Sequence, residues 1–504
     1  MNQKLFFKIV HPSFRGENKR RVLVHALKYM LLCFFIFIYH FGYTQNKKEA
    51  EIILGTFDIH AGDRDRYDIP IRFECKSTDL FGDPSNLRKP NSFYYIDSGA
   101  DLALLRDHHI MLYEEGGKKA RIPAQWEPKV DFNWETATGQ GALVWLLDGK
   151  TPKGSSRKFR LVLKQGLLAS GPFSVKDINS KSLLIKRGAQ SVLQYNYGII
   201  NQVEGQTNPH DKSSYIHPVW TPNGKIVTGD FSPEHIWQRG LYLAWEKAKF
   251  GDIETNFWEL GDNTGRTLID DLMGPTVIEG PVFAEIVVHN KGTVSGKTRF
   301  KEICVVRLYN QSNKDIWIFD LFFRQVPVDP NNPNQSPKEI QKMELPKVYY
   351  GGMAFRGVSP EWLHRDFIAR DEKQLLKFKN DTKWLPPDVS LDILTSEGYD
   401  RKSSNGTPAR WIDYTGPLGD EWGGLVMFDH PSNQRYPTPL RVHPDMPYFC
   451  YAFAKNEPYT ITSEVPLNLT YRVYVHSRHP NKEVNEQIAS DFVNPPKVVW
   501  QRGK

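Results

Sequence analysis

The residue types best suited to acid–base chemistry are concentrated in one stretch of the chain, residues 215–245. This stretch contains His217, His235 and Arg239. A histidine exchanges a proton near neutral pH, and an arginine binds a carboxylate through two parallel hydrogen bonds. The three side chains would therefore suit the removal of an acidic C–H proton beside a sugar carboxylate, with the arginine neutralising the enolate that forms.

Further polar and aromatic residues extend this predicted catalytic set. We expect Tyr215, or alternatively Tyr242, to protonate the leaving oxygen. The predicted substrate-binding residues are Asp230, Trp237, Trp258, Glu259, Arg410, Asp413, His430 and Arg435. A structural interpretation stays open, in which Arg239 pairs with Asp230 and the histidines cap loops.

Other chemistries have weaker support in the spacing of the residues. Carboxylates at Asp230, Glu234 and Glu259 would suit a glycoside hydrolase, which needs two carboxyl groups about 5 Å or about 6.5–9.5 Å apart. Three histidines, His217, His235 and His430, do not follow a recognised metal-ligand spacing, so we predict neither a metal nor a cofactor. The motifs of nucleotide-binding proteins, acyl hydrolases and zinc proteases are lacking.

The segment that must hold these groups is rich in residues that interrupt helices: Pro218, Pro222, Pro233, Gly224, Gly229 and Gly240. It should therefore consist of loops and short strands. Elsewhere the chain is built of short apolar runs with alternating pattern, as in residues 316–321, separated by Gly, Pro, Asn and Asp. This pattern predicts an all-β, antiparallel protein, with an N-terminal β-sandwich domain at residues 45–185 and a larger sandwich at residues 186–504.

Residues 1–44 have the composition of a targeting segment. They hold seven basic residues and one acid, and a 14-residue apolar run begins at Met30. The run is short for a spanning helix and suits a signal peptide, so we predict export to the periplasm with cleavage near Gln45; a retained anchor is the alternative. Because almost all of the net charge of +7 lies in this segment, we expect no nucleic-acid partner and no stable membrane association after cleavage.

The cysteine and aromatic residues further limit the class of protein to which this chain can belong. Beyond the targeting segment, Cys75, Cys304 and Cys450 are far apart, which excludes a dense disulfide framework and a cysteine-type zinc site. We expect buried free thiols. Aromatic residues make up 13% of the chain, a surplus that sugar-binding surfaces use for stacking.

A resemblance to a known family rests on the sequence HPVWTPNGKIVTGDF and the Arg239-Gly240 pair that follows. This pattern resembles the bacterial family of methane oxygenase PmoA-like proteins, although Trp237-Gln238 stands where that family often has a second histidine. Further landmarks are FWE at 257–259, YGG at 350–352, RWIDY at 410–414, FDHP at 428–431 and RYPTP at 435–439. The resemblance implies a galactose-mutarotase-like supersandwich, whose relatives include sugar epimerases, polysaccharide lyases and glycoside hydrolases.

Together these features predict an exported carbohydrate-active enzyme. It would be a lyase or dehydratase that acts by acid–base chemistry on oligosaccharides containing uronic acid. A glycan-binding protein without catalytic activity and a metal-dependent oxygenase, as the family name suggests, are the alternatives.

Overall fold

Two large antiparallel sheets face each other across a common apolar core. The protein is described here from a computed structural model, which covers residues 51–81, 108–116, 121–128, 140–165, 171–233, 235–261, 265–270, 274–359, 362 and 391–503. The predicted targeting segment at residues 1–44 lies outside the described residues. In the described part of the chain, no helix is both long and apolar enough to cross a membrane.

The first large sheet has eight strands in the order β24-β25-β20-β11-β10-β9-β8-β7. Its strands are β7 Phe173–Ile178, β8 Ser182–Arg187, β9 Gln190–Asn196, β10 Tyr215–Val219, β11 Leu241–Trp245, β20 Gly351–Arg356, β24 Leu440–Val442 and β25 Tyr448–Ala452. The stretch predicted to hold the chemistry therefore begins and ends as neighbouring strands, β10 and β11, with the loop of residues 220–240 between them.

The second large sheet has nine strands in the order β14-β16-β17-β18-β27-β23-β22-β21, with β15 paired to β16. Its strands are β14 Gly265–Ile269, β15 Thr276–Glu279, β16 Phe283–Val294, β17 Lys297–Tyr309, β18 Ile316–Pro327, β21 Asp392–Thr395, β22 Trp411–Leu418, β23 Glu421–Phe428 and β27 Leu467–His476. Its longest hairpin turns at Ser295-Gly296, where both residues have positive φ (49° and 75°). That geometry matches the twist of the flanking strands.

Side chains from the inner faces of the two large sheets interdigitate. Tyr451 of β25 stacks on Tyr471 of β27 with ring centroids 5.5 Å apart. Trp245 of β11 donates its indole N–H to Oε1 of Gln325 in β18 at 2.9 Å. Because strand side chains alternate between faces, burying one face of each sheet leaves the other face of each for different partners.

A seven-stranded antiparallel sheet precedes the sandwich in the chain, in the order β2-β5-β4-β3-β6-β1-β28. Its strands are β1 Glu51–His60, β2 Arg66–Lys76, β3 His108–Glu114, β4 Arg121–Pro128, β5 Gln140–Thr151, β6 Ser156–Gln165 and β28 Lys497–Arg502. Phe57 of β1 contacts Phe73 of β2 at 5.1 Å, although these strands lie near opposite ends of the sheet. The sheet therefore curls over its own core.

Smaller elements complete the described part of the chain. A four-stranded sheet consists of β12 Ala248–Phe250, β13 Ile253–Thr255, β19 Lys342–Leu345 and β26 Tyr459–Thr462. Helix α1 is Ser77–Phe81, and helix α2 is Lys482–Val493. Asn481 caps helix α2 by accepting a hydrogen bond from the backbone N–H of Val484. Helix α2 packs through Ala489 against the outward face of the nine-stranded sheet.

The predicted fold class is confirmed: the regular structure of the described residues is almost entirely antiparallel β-sheet, and its larger part is a two-sheet sandwich. Cys75, Cys304 and Cys450 are free thiols; Cys304 and Cys450 are buried as expected, whereas Cys75 is half-buried. The predicted domain limits stay a prediction. Strand β28 pairs with β1 in the seven-stranded sheet, so that sheet contains residues from both predicted domains.

Candidate functional site

The outward face of the eight-stranded sheet carries polar and aromatic side chains instead of the aliphatic ones of its inner face. In β11 and β20, Tyr242 and Ala354 point outward while Leu243 and Phe355 join the core. Arg356 follows Ala354 by two residues and so shares the outward face. Loop residues of the 220–240 segment and of the segments that flank β24 and β25 cover this face, and we call it the candidate site.

Arg239 holds the loop of residues 220–240 in place. Its side chain is fully buried and donates hydrogen bonds to the backbone oxygens of Ile236 at 3.3 Å, Ile200 at 3.2 Å and His210 at 3.1 Å. Its guanidinium carbon lies 3.5 Å from the centroid of the Phe231 ring. Nε is also 3.4 Å from Oδ1 of Asp230, so the pair considered as the structural alternative is present.

These contacts bear directly on the predicted role of Arg239. A substrate carboxylate needs two N–H groups of one guanidinium that do not already have acceptors. Arg239 has 0% exposure, and its nitrogens already contact backbone oxygens of three segments. In this conformation Arg239 positions the loop, and the groups that could bind an acid must be sought elsewhere on the same face.

Tyr215 contacts the Arg239–Asp230 pair that holds this loop in place. Its hydroxyl donates to Oδ2 of Asp230 at 3.0 Å and lies 3.4 Å from Nη1 of Arg239. Burial, with the charge of Asp230 as a second cause, raises the pKa of Tyr215 well above its usual value of 10. Tyr215 is 1% exposed, and its hydroxyl proton is committed to Asp230, so Tyr215 and Asp230 lie beneath the site instead of in it.

His217 is half-buried in the middle of the same strand. Its Nδ1 lies 2.9 Å from Oγ1 of Thr228, and burial lowers the pKa of its imidazole. Gly240 packs directly against it: a Cβ at position 240 would lie 2.0 Å from the oxygen of Ile216 and 3.0 Å from Cβ of His217. The Arg239-Gly240 pair thus sets the backbone that presents His217.

His235 lies nearer the open side of the loop. Its ring meets the edge of Trp237 at 4.9 Å, and Trp237 in turn lies 5.5 Å from the ring of His210. All three side chains are partly exposed. His235 and Trp237 therefore remain, of the residues predicted in this loop, the two that are best placed to reach a ligand.

A second histidine, His443, lies beside His235 although it is more than 200 residues away in sequence. Its Nδ1 accepts hydrogen bonds from the backbone N–H groups of Asp445 at 3.1 Å and Met446 at 3.0 Å. The neutral ring must then carry its proton on Nε2. Burial, reinforced by the charges of neighbouring cations including His235, lowers the pKa of His443 to about 3. At neutral pH His443 is therefore an uncharged hydrogen-bond donor.

The cations that act on His443 are Arg441, Arg401 and Arg356. Arg356 has 0% exposure and donates to the amide oxygen of Gln238 at 3.1 Å. Burial lowers the pKa of Arg356 to about 9, so the guanidinium is still charged at neutral pH. Nε and Nη2 of Arg401 are buried and make no hydrogen bond to any described residue. We call Arg356, Arg401 and His443 the cationic cluster.

Aromatic residues form the rest of the face. Trp258 is 2% exposed and contacts Tyr242 at 5.0 Å, Tyr350 at 5.9 Å and Tyr448 at 6.0 Å. The hydroxyls of Tyr242 and Tyr448 are buried and have no hydrogen-bond partner among the described residues. Trp258 thus supports these tyrosines from below, whereas the neighbouring Glu259 is exposed at the rim.

A buried lysine borders the same aromatic group. Lys212 is 7% exposed, and its Nζ lies 3.9 Å from the centroid of the Tyr242 ring. It donates to the backbone oxygen of Trp258 at 3.4 Å. Burial lowers the pKa of Lys212 well below its usual value of 10.5.

The downstream residues predicted for the site lie elsewhere. Arg410 forms a two-pronged ion pair with Glu486 of helix α2, at 2.8 and 2.9 Å. Asp413 has 0% exposure and accepts from Asn485 of the same helix at 2.7 Å. His430 contacts Phe492 of helix α2 at 4.8 Å. These three residues lie against helix α2, which packs on the outward face of the opposite sheet.

Arg435 lies apart from both groups. It donates to the backbone oxygens of Phe453 and Glu457 at 2.7 Å and lines an open pocket of about 320 Å³ together with Pro408 and Pro437. The second cluster expected from Arg410, Asp413, His430 and Arg435 is therefore not assembled as one site. Arg410 and Asp413 do not pair with each other, and each has its partner on helix α2.

The alternative chemistries can be compared with this geometry. Of the predicted hydrolase carboxylates, Asp230 is occupied by Tyr215 and Arg239, Glu259 is exposed, and Glu234 lies outside the described residues. His217 and His235 share the candidate site, whereas His430 contacts helix α2. Among the described residues, no group of three or more His, Cys, Asp or Glu side chains is placed to hold a metal ion.

Sequence reasoning missed the cationic cluster and Lys212. The cluster residues come from β20, the loop before β22 and the loop after β24, and they meet only because β11, β20, β25 and β24 are consecutive in the sheet. One local signal was available for Arg356: a charged residue at the end of an otherwise apolar strand, GGMAFR, is rarely buried without a reason.

The comparisons with known proteins place the chain in a family. Residues 182–490, more than half of the chain, match the family described as "Family of unknown function (DUF6807)", and the chain belongs to that family. No curated protein matches the chain. The expected membership of the methane oxygenase PmoA-like family is wrong, since the matching family is a different one. The motif residues behind that expectation largely shape the backbone, as Arg239 and Gly240 illustrate, and such residues do not identify a chemistry.

Among solved structures, the chain is similar to a protein in the glycosyl hydrolase family 38 from Enterococcus faecalis. The sequence identity is 11% and the TM-score is 0.37. The match covers 90% of this chain and 48% of that protein, so the chain spans about half the length of the structure it resembles.

Proposed function

We propose that the candidate site binds the acid group of an oligosaccharide that contains uronic acid, and that the protein is a lyase or dehydratase for such sugars. The observation that carries this proposal is the cationic cluster. Two arginines and a neutral, donating histidine converge on one face. Nε and Nη2 of Arg401 are buried and make no hydrogen bond to any described residue, and a bound anion would supply acceptors for them.

The two arginines would have different roles in binding the acid group. Arg356 is fixed by Gln238 and by the sulfur of Met446 at 3.8 Å, so it is pre-organised. Arg401 has two nitrogens available, Nε and Nη2, and these form the edge of a guanidinium that matches a carboxylate. Nε2–H of His443 would donate to the same acid group and become a stronger partner as negative charge develops on it.

The reaction follows from that arrangement. The imidazole of His235 would take the proton from the carbon next to the bound carboxylate. The electron pair of that C–H bond forms a carbon–carbon double bond as the neighbouring C–O bond breaks. The hydroxyl of Tyr448, which has no partner among the described residues, would give its proton to the leaving oxygen. Loss of a sugar makes the protein a lyase, and loss of water makes it a dehydratase.

The test is to incubate the purified protein with oligosaccharides that contain uronic acid. Formation of the double bond is followed by ultraviolet absorbance, and the loss of a sugar or of water by mass spectrometry. His235→Gln should lower kcat by about 10²–10⁴-fold, because a general base is removed. Arg401→Met should lower kcat/KM by roughly 10–100-fold, because a charge-assisted hydrogen bond is worth about 1.5–3 kcal/mol.

Arg157→Met is the matched control, since it also removes an arginine but one that is paired with Glu114 on the seven-stranded sheet. It should leave kcat/KM unchanged. Binding of acidic sugars without turnover would make the protein a glycan-binding protein instead. Absence of binding, or equal losses in Arg401→Met and Arg157→Met, would refute the proposal. Export to the periplasm belongs to the same proposal, and N-terminal sequencing of the protein from fractionated cells tests it.

A further inference from the structure

A second group of cations lies at the edge of the eight-stranded sheet, next to the candidate site. Arg441 of the edge strand β24 holds its guanidinium carbon 4.6 Å from the ring centroid of Tyr349 and 5.1 Å from that of Tyr350. Lys455 holds its Nζ 4.1 Å from the centroid of the same Tyr349 ring. We call Tyr349, Tyr350, Arg441 and Lys455 the tyrosine rim.

Two hydrogen bonds hold the tyrosines of the rim in place. The hydroxyl of Tyr349 accepts from Nδ2 of Asn405 at 2.8 Å. The hydroxyl of Tyr350 accepts from Nη2 of Arg441 at 3.0 Å. Within the described part of the chain, neither Arg441 nor Lys455 forms a salt bridge with a carboxylate. Two cations therefore share one aromatic ring and lack an acidic partner there.

The rim is also open to a ligand. Tyr349 is 44% exposed, although Arg441 and Lys455 lie beside its ring. An exposed tyrosine offers an apolar face for the C–H groups of a sugar, and the adjacent cations offer donors for an acid group. Arg441 itself is 6% exposed, so Lys455 is the more accessible of the two charges.

The rim is close to the cationic cluster but separate from it. Strands β24 and β20 are separated by β25 alone, so their backbones lie about 10 Å apart. A single carboxylate is too small to bridge that span. His443 of the cluster nevertheless follows Arg441 of the rim by two residues, so the two groups are neighbours.

We infer that the tyrosine rim is a second acid-binding subsite, which recognises a carboxylate or sulfate on the sugar next to the one held by the cationic cluster. This inference rests on the proposed function, because it assumes that the first acid group is bound by Arg356 and Arg401. It specifies the substrate class: a polyanionic chain with acid groups on neighbouring sugars, instead of a chain with an isolated uronic acid.

Three disaccharide probes test the inference by calorimetry. The first carries uronic acids on both sugars, the second is the same molecule with one carboxylate as a methyl ester, and the third replaces that carboxylate with a sulfate. The wild-type protein should bind the diacid about tenfold more tightly than the monoester, the affinity change that about 1.4 kcal/mol represents. The third probe shows whether the rim takes a sulfate, a carboxylate or both.

Lys455→Gln should remove most of this preference for the diacid and leave the affinity for the monoester within about twofold of wild type. Lys455→Arg should retain the preference, because the charge is kept, and this variant also guards against a loss caused by misfolding. Lys297→Gln, at an exposed hairpin end on the opposite sheet, is the matched control and should bind like the wild type.

The outcomes separate the two proposals. Equal binding of diacid and monoester by the wild-type protein, or equal loss of both in Lys455→Gln, would overturn the second subsite and leave the first. If the wild-type protein binds none of the three probes, the proposed function fails together with the inference.

Discussion

The outward faces of the two large sheets both bury arginines, but the arginines contact different kinds of group on the two faces. On the nine-stranded sheet, Arg307 lies between Glu285 and Glu127, and Arg472 pairs with Asp320 at 2.7 and 2.9 Å. These arginines connect the sandwich with the elements packed on that face. Charge there is matched within the protein.

On the eight-stranded sheet, Arg239 pairs with Asp230, but two other arginines donate to neutral groups. Arg356 donates to the Gln238 amide, and Arg441 donates to the Tyr350 hydroxyl and the backbone oxygen of Val442. These hydrogen bonds to neutral acceptors contrast with the ion pairs of the nine-stranded sheet. We call the outward face of the nine-stranded sheet the matched face and that of the eight-stranded sheet the unmatched face, and the contrast supports the proposal that the second face binds an anion.

The largest expected effect comes from breaking the matched face. Arg307→Met would leave Glu285, which is 1% exposed, and Glu127 without their shared cation. Removing one partner of a buried ion pair costs about 3–5 kcal/mol of unfolding free energy. Urea unfolding of the variant and the wild type measures this loss. A loss below 1 kcal/mol would show that the matched face contributes no more than the unmatched one.

The second-largest expected effect is a loss of folding stability at low pH, caused by His443 on the unmatched face. Unfolded His443 has an ordinary pKa near 6.5, and the folded pKa is about 3. The folded state therefore binds fewer protons between these values, so its stability is complete above pH 6.5 and falls as the pH drops towards 3. The surrounding charges are Arg441, His235, Arg401, Arg356 and the carboxylate of Asp445, which acts on Arg401.

His443→Gln should remove this dependence. Between pH 6.5 and pH 4.5 the wild-type protein should lose about 2 kcal/mol more unfolding free energy than the variant. Urea midpoints at the two pH values give the difference, in which the contributions of other groups cancel. Parallel pH profiles for the two proteins would mean that His443 is not the buried neutral group described.

Replacing a cation of the unmatched face should have a smaller effect with the opposite sign. Arg356→Met removes a buried charge together with its hydrogen bonds to the Gln238 amide and the Met446 sulfur. We expect the unfolding free energy to stay within about 1 kcal/mol of wild type or to rise. Differential scanning calorimetry measures it, and a loss comparable with that of Arg307→Met would contradict the distinction between the faces.

The smallest effect is expected at the edge of the matched face. Arg410 and Glu486 form a two-pronged ion pair, but about a third of each side chain is exposed. Exposed pairs contribute about 0.2–1 kcal/mol, so Glu486→Gln should lower the melting temperature only slightly. The shift should shrink further in high salt. A large, salt-independent shift would mean that this pair belongs with the buried network.

The sequence contains most of the information about the sheets and part of that about the site. The alternation in residues 316–321 predicted strand β18, and the spacing of Asp230 and Arg239 allowed the pairing that the structure has. Arg410 and Asp413 suggested a second site because their charges had no evident partners nearby in the sequence. The sequence of a strand does not show which element packs against it. Their partners, Glu486 and Asn485, lie more than 70 residues further on.

The cationic cluster could not be predicted from the sequence for the same reason. Arg356, Arg401 and His443 are separated by about 40 residues or more, and nothing local to any of them predicts the others. Their meeting depends on the order in which β20, β25 and β24 add to the sheet. The loop of residues 220–240 was identifiable because its reactive residues are contiguous, yet several of them serve to hold the loop itself.

The pairing of β1 with β28 has a consequence for the time course of folding. Residues 55–60 find their partners in residues 497–502, roughly 440 residues later. At a synthesis rate of about 5–20 residues per second, β1 waits roughly 20 to 90 s for that strand. During this interval one side of the seven-stranded sheet is an open edge, and an open edge is a template for aggregation. Strand β1 therefore lacks its β28 partner until the chain has passed residue 502.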